Sequence, residues 1–221
     1  YVRTRLSLGR RALDAGQADG AVVQFSAALN PPASLGEARH LLANPSDILY
    51  WLGVAHAATG NHERARAAWE TAASFRGDFQ LMSVRAYSEL SYFSAKALAA
   101  LGREDEAQAM FRAIIAYAEA LRAEPAKIDY FATSLPTMLL FEDDLTRRQQ
   151  AHARLMLAQA HDGLGETDRA REELAQVLAI DPNNALAIDL ARELGELGEE
   201  GLPARIIAPA KAQGGEHEYD E

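Results

Sequence analysis

The sequence predicts an all-α fold built from repeated helical hairpins stacked into a solenoid. Two observations carry this. Alanine and leucine dominate an apolar fraction of 48%, and both lose little side-chain entropy in a helix. Four segments also repeat one pattern of glycine, alanine and large apolar residues at fixed offsets, the mark of a repeat architecture.

The first segment reads Leu8-Gly9, Gly16, Ala21, Phe25, Ala28, and the second Leu52-Gly53, Gly60, Ala65, Trp69, Ala72. The third reads Ala95, Gly102, Ala107, Phe111, Ile114, and the fourth Leu157-Ala158, Gly165, Ala170, Leu174, Val177, Pro182. From Gly16, Gly60, Gly102 or Gly165 it is five residues to alanine, four more to a large apolar residue and three more to another. The last two steps are helix-face spacings, so those residues share one stripe. The glycine suits the left-handed residue that ends a first helix. The small alanine suits a close approach of two helices, and the aromatic the space between neighbouring hairpins.

The hairpins are expected near 3–15 with 18–30, 47–59 with 62–75, 84–101 with 104–122, and 144–164 with 167–180. The units are then about 3–30, 47–75, 84–122 and 144–180. A capping helix at 184–197 follows Asp181-Pro182, completing a repeat domain over 1–200. Residues 201–221 end in KAQGGEHEYDE and are expected to be a flexible acidic tail, because so polar a segment buries too little apolar surface to order itself.

The pattern resembles the tetratricopeptide repeat, with small residues at the hairpin crossings and proline after the second helix. Residues Leu157 to Pro182 fit best. The turn glycines stand 44, 42 and 63 residues apart, where an uninterrupted array repeats about every 34. Insertions over Asn30 to Asp47, Gly77 to Val84 and Leu121 to Leu145 account for the excess. Two insert stretches, SLGEARHLLANPSDILYWLG (Ser34 to Gly53) and AKIDYFATSLPTMLLFEDDL (Ala126 to Leu145), resemble the C-terminal helical region of a bacterial family of unknown function. In that family a mutarotase-like β-sandwich precedes tetratricopeptide repeats. This likeness spans roughly Ser34 to Glu193. It implies a sugar-related domain upstream of Tyr1, and the absence of an initial methionine reads as a piece cut from a longer protein.

Charge and composition exclude several classes. The formal net charge of -10 repels polyanions, so neither nucleic acid nor an anionic membrane is an expected partner. With no cysteine, disulfides and thiolate metal sites are ruled out. Together with the lack of a signal-peptide pattern, this suits a reducing, cytoplasmic setting.

No catalytic residue, metal site or cofactor is expected. The histidines His40, His56, His62, His152, His161 and His217 lack the convergent spacing that metal binding needs. His56 and His161 occupy the same repeat position, four residues before the turn glycine, and read as packing residues. The run Glu142-Asp143-Asp144 lacks calcium-loop spacing. Asp143 or Asp144 is read as a helix N-cap, accepting from free backbone N–H groups. Ser134 has no nucleophile elbow around it, and Pro136 makes its surroundings a loop. Phosphate-cradling glycine loops are missing.

The resemblance places the first helices along the concave face. It implies a groove lined by Arg3, Arg10, Asp47, Tyr50, Glu89, Tyr92, Lys96, His152, Gln159 and Asp162, which suits an extended peptide or a helix. The aromatics Tyr50, Trp51, Tyr87, Tyr92 and Phe93 lie on the same first helices, and the alternative to an open groove is that such residues pack against the insertions. The lysine and asparagine set for clamping a chaperone's C-terminal carboxylate is missing. The expected role is a non-catalytic interaction scaffold, with a protein, a peptide or an upstream domain of the same chain as partner. The alternative is an accessory domain shaping an upstream sugar-processing site, for which Trp51, Asp129, Tyr130 and Asp143 are the candidates.

Overall fold

The computed structural model describes residues 1–35, 43–77, 85–126 and 144–195. Among these residues there are nine α-helices and no strand. They are α1 (Val2–Asp14), α2 (Ala18–Leu29), α3 (Ser46–Ala58), α4 (His62–Ala73), α5 (Ser91–Ala100), α6 (Glu104–Ala123), α7 (Leu145–Gly163), α8 (Thr167–Ile180) and α9 (Ala185–Glu193). The fold is an all-α, tetratricopeptide-like helical repeat.

Each helix packs on its chain neighbour. In addition α1, α3, α5, α7 and α9 touch in succession, whereas the second helices do not touch one another. The first helices therefore form the inner row and the second helices splay outward, the arrangement that curves a solenoid.

The shared stripe is the core. Ala21, Phe25 and Ala28 are fully buried, as are Ala65, Ala72, Ala107, Phe111, Ile114, Ala170, Leu174 and Val177 to within 2%. Trp69 is half-buried. The aromatics sit closer to home than expected: Phe25 and Trp69 lie inside their own hairpins, against Gly9 and Gly53. A Cβ built on either glycine would stand 2.8 Å from a ring atom. Phe111 instead reaches the following hairpin, with a Cβ on Gly163 coming within 2.6 Å of three of its ring atoms.

The turn after each first helix is one device used four times. At Gly60 the backbone is left-handed (φ 77°). Its N–H donates to Ala57 O (3.0 Å) and the next N–H, of Asn61, to His56 O (2.8 Å). Two carbonyls that the helix leaves free are thus bonded. Gly16, Gly102 and Gly165 repeat both the dihedral and the bond pair. A fifth left-handed glycine, Gly195, stops α9 at Glu193, short of the expected 197, so α9 has the form of one more first helix.

The third first helix begins at Ser91, later than residue 84. Ser88 and Ser91 close its start: Ser88 N donates to Ser91 Oγ (2.9 Å) and Leu90 N to Ser88 Oγ (3.3 Å). The two hydroxyls thus bond backbone N–H groups of the turn that leads into the helix. The ends of two insertions meet there. Asn44 Nδ2 donates to Gly77 O (2.8 Å), Ser46 Oγ to Leu90 O (2.7 Å), and Ser91 Oγ to Arg76 O. These polar side chains are buried because each is hydrogen-bonded, which removes the penalty of taking them out of water.

The insertion after the third hairpin begins inside a long helix. α6 runs 20 residues, and its last carbonyls accept from Gln149 (Leu121 O 2.7 Å, Glu124 O 2.7 Å) and Gln150 (Arg122 O 3.0 Å). Asp144 is the N-cap of α7, accepting from Arg147 N at 2.9 Å. The readings on Tyr130, Asp129, Ser134, Pro136, Glu142, Asp143, His40, His217 and the tail lie outside the described residues.

Candidate functional site

The inner row brings most of the expected groove residues together, but as a bonded cluster rather than an open lining. Its floor is aromatic. Tyr50 and Trp51 of α3 meet edge-on at 5.3 Å, and Tyr92 and Phe93 of α5 at 5.1 Å. Two cations stand on these rings, one from the flanking α1 and one from α5 itself. Arg10 of α1 lies 4.9 Å from the centre of Trp51. Lys96 of α5 lies 5.1 Å from both Tyr50 and Tyr92. Cations held on ring faces in a partly desolvated site are attracted by about 1–2 kcal/mol each.

The cations also hold α9. Arg10 reaches Asp189 (2.9 Å) and Glu193 (2.9 Å), one guanidinium nitrogen to each. Arg3 reaches Asp189 (2.5 Å) and the carbonyl of Ala185 (2.6 Å). Lys96 reaches Glu193 at 3.5 Å. Asp189 and Arg10 keep only 13% and 15% of their side-chain surface exposed, so this pair is far better shielded than an ordinary surface pair.

Beneath the cluster, the Tyr92 hydroxyl donates to Asp162 of α7 at 2.5 Å. Burial, and then the negative charge of Asp162, pushes the Tyr92 phenol well above its ordinary pKa. Tyr50 is raised too, first by burial, with Lys96 opposing. Both remain neutral wherever the protein is folded at ordinary pH, with Tyr92 as the donor to Asp162.

Other expected residues fall elsewhere. Glu89 and His152 pair at 3.3 Å, with Arg85 3.4 Å from the His152 ring. They edge a cleft of about 610 Å³ that also takes in Asp144, Arg147, Ile180, Asn184 and Leu186. Asp47 sits in the first turn of α3, where it accepts from Ile48 N (2.8 Å). Gln159 is 2% exposed and stands beneath the face rather than on it. Tyr87 precedes α5 and stacks edge-on with Tyr117 of α6 at 5.7 Å. His56 is buried in the last turn of α3, and His161 bonds Glu166 across its turn at 2.7 Å. No group of three His, Asp or Glu side chains among the described residues converges as metal ligands would. No described helix is long and apolar enough to cross a membrane.

Sequence reasoning missed Asp189 and Glu193. The signal was present: two carboxylates four apart on a short amphipathic helix, hence on one face. Reading that helix only as a cap left no reason to ask what its polar side faces.

Helical hairpins with left-handed glycine turns, small crossing residues and an inner row of first helices define a class of helical-repeat protein. Models of the tetratricopeptide repeat match residues 48–71, 91–113 and 151–184. Those spans fall on α3–α4, α5 with the first half of α6, and α7–α8. Over these spans the chain is similar to the tetratricopeptide repeat, in keeping with its all-α helical-repeat fold. No solved structure matches the chain.

Proposed function

We propose that the chain is a non-catalytic interaction scaffold whose concave face, around Tyr50, Trp51, Tyr92, Arg10 and Lys96, docks a protein segment. The observation that carries this reading is the placement of two cations on a shielded aromatic floor at the centre of the inner row. Aromatic and arginine side chains in such desolvated settings dominate binding energy at protein interfaces. Helical-repeat solenoids use this inner surface for extended peptides and helices. An overall charge of -10 weighs against nucleic acid.

The likeness of the Ser34–Gly53 and Ala126–Leu145 stretches to mutarotase-linked repeat regions adds a finer reading. In it the chain is the C-terminal part of a larger, carbohydrate-related bacterial protein, and the docked segment belongs to its own upstream domain.

The test is selection of a random-peptide library on the native chain and on a Glu193→Gln chain, which lacks one of the groups bonded to Lys96. Enriched peptides are expected to lose binding when Lys96→Glu is introduced. Peptides that ignore Lys96→Glu, or no enrichment on either chain, overturn the proposal.

A further inference from the structure

We infer that the two carboxylates of α9 are internal occupants of the concave pocket, and that the partner the pocket accepts when they withdraw is an acidic helix with two carboxylates one turn apart. This rests on the concave-docking reading above and names the partner.

α9 has two separable sides. Its apolar side, Ala187, Leu190 and Ala191, is buried with Leu155, Ala158, Leu174 and Val177 of α7 and α8. That packing alone seats it as the last helix of the stack. Its acidic side, Asp189 and Glu193, does something the stack does not require: it reaches α1 and α5 across the concave face. The backbones of α1 and α9 do not pack together; arginine side chains of α1 span the gap, to the carboxylates of α9 and to its Ala185 and Asp189 carbonyls. Carboxylates and carbonyls on one face of a helix are groups that a helix arriving from outside can also present.

The pocket's geometry specifies that helix. Arg10 splits its fork, Nη1 to Asp189 and Nη2 to Glu193. Side chains four apart are neighbours about 6 Å apart on a helix, but about 13 Å apart on an extended strand. A single guanidinium bridges the first spacing and not the second. The pocket therefore reads side-chain carboxylates on a helix, unlike a clamp for a chain terminus. Three cations, Arg3, Arg10 and Lys96, meet two carboxylates. Asp162 lies beneath them, so without the two α9 carboxylates the pocket has three cations to one carboxylate and is a basic island on a chain of net charge -10. At physiological salt, charges beyond about 8 Å are screened, so the bulk negative charge does little to oppose an acidic helix once it is in contact.

Tethering gives α9 a high effective concentration, so it sets the threshold an external ligand must exceed. Asp189→Asn with Glu193→Gln removes the ionic side and leaves the apolar side in place. The probe is a fluorescein-labelled, end-blocked peptide of residues 184–195, alongside a version with amides at the two carboxylate positions. The double variant is expected to bind the acidic peptide at least ten-fold more tightly than the native chain does. Arg10→Ala in the variant is expected to abolish that binding, and the amide peptide to bind neither protein. Circular dichroism confirms that the variant is folded; if it is not, Glu193→Gln alone is measured, with a smaller gain expected. Equal binding to native and variant chains, or equal binding of acidic and amide peptides, overturns the inference. If the library selection still returns peptides sensitive to Lys96→Glu, docking stands and only the acidic-helix assignment falls. If it returns none, both fall.

Discussion

One substitution, glycine to alanine inside a helix, has opposite effects at Gly53 and Gly20. Alanine is the better helix former by about 1 kcal/mol, a gain that applies in the middle of α3 and, to a lesser degree, near the start of α2. At Gly20 the built Cβ meets nothing nearer than 3.9 Å, and the site is exposed. The propensity gain therefore stands alone, and Gly20→Ala stabilises by roughly 0.5–1 kcal/mol. At Gly53 the Cβ would fall 2.5 Å from Trp69 Cδ1 and 2.8 Å from Cε2, inside the van der Waals radii. The indole must move, and it is held by its own bond, Nε1 donating to Tyr50 O at 3.1 Å. Overpacking a core site costs about 1–3 kcal/mol, and loss of a buried hydrogen bond about another 1 kcal/mol. Set against the propensity gain, Gly53→Ala destabilises by roughly 1–3 kcal/mol. In a chain of this size each kcal/mol moves Tm by about 2–4 °C. Urea and thermal unfolding followed at 222 nm measure both variants. A stabilised Gly53→Ala, or the same sign at both sites, refutes the packing argument for glycine at the hairpin crossing.

Other outcomes follow from single contacts. Asn184→Ala removes the N-cap of α9, whose side chain accepts from Ala187 N at 3.1 Å; about 1 kcal/mol of stability should be lost in urea melts. Arg10→Ala strips both α9 carboxylates of a shared partner, and a loss of roughly 1.5–3 kcal/mol is expected, less in high salt; an unchanged Tm would show that the α1–α9 bridge holds nothing together. Tyr92 and Tyr50 have phenol pKa values raised in the folded state. The unfolded chain releases those protons first, so stability falls as pH rises past about 10. Absorbance at 295 nm should show these two phenols ionising only as the helices melt, and Tyr92→Phe should flatten the alkaline loss. His56 is shifted down, by burial and then by Arg64. Its contribution is present above about pH 6.5 and fades on acidification, a dependence that His56→Gln should reduce in melts between pH 7 and 5.

The repeat itself is written in local sequence. A left-handed turn needs glycine whatever surrounds it, so Gly16, Gly60, Gly102 and Gly165 mark the hairpins, and the stripe of five, four and three residues follows from helix geometry. Asp144 as an N-cap is local in the same sense, since it bonds a backbone N–H three residues on. What the tertiary structure decided is whatever joins residues far apart in the chain. The start of α5 depends on serines that bond Arg76 and Leu90 across an insertion. The hidden depth of Gln159 depends on the helices around it. The occupancy of the concave face depends on Arg3 and Arg10 meeting a helix some 180 residues later. Periodicity tells which side of a helix is apolar, but curvature accumulates over every hairpin, and only the accumulated curvature brings the first helix opposite the last.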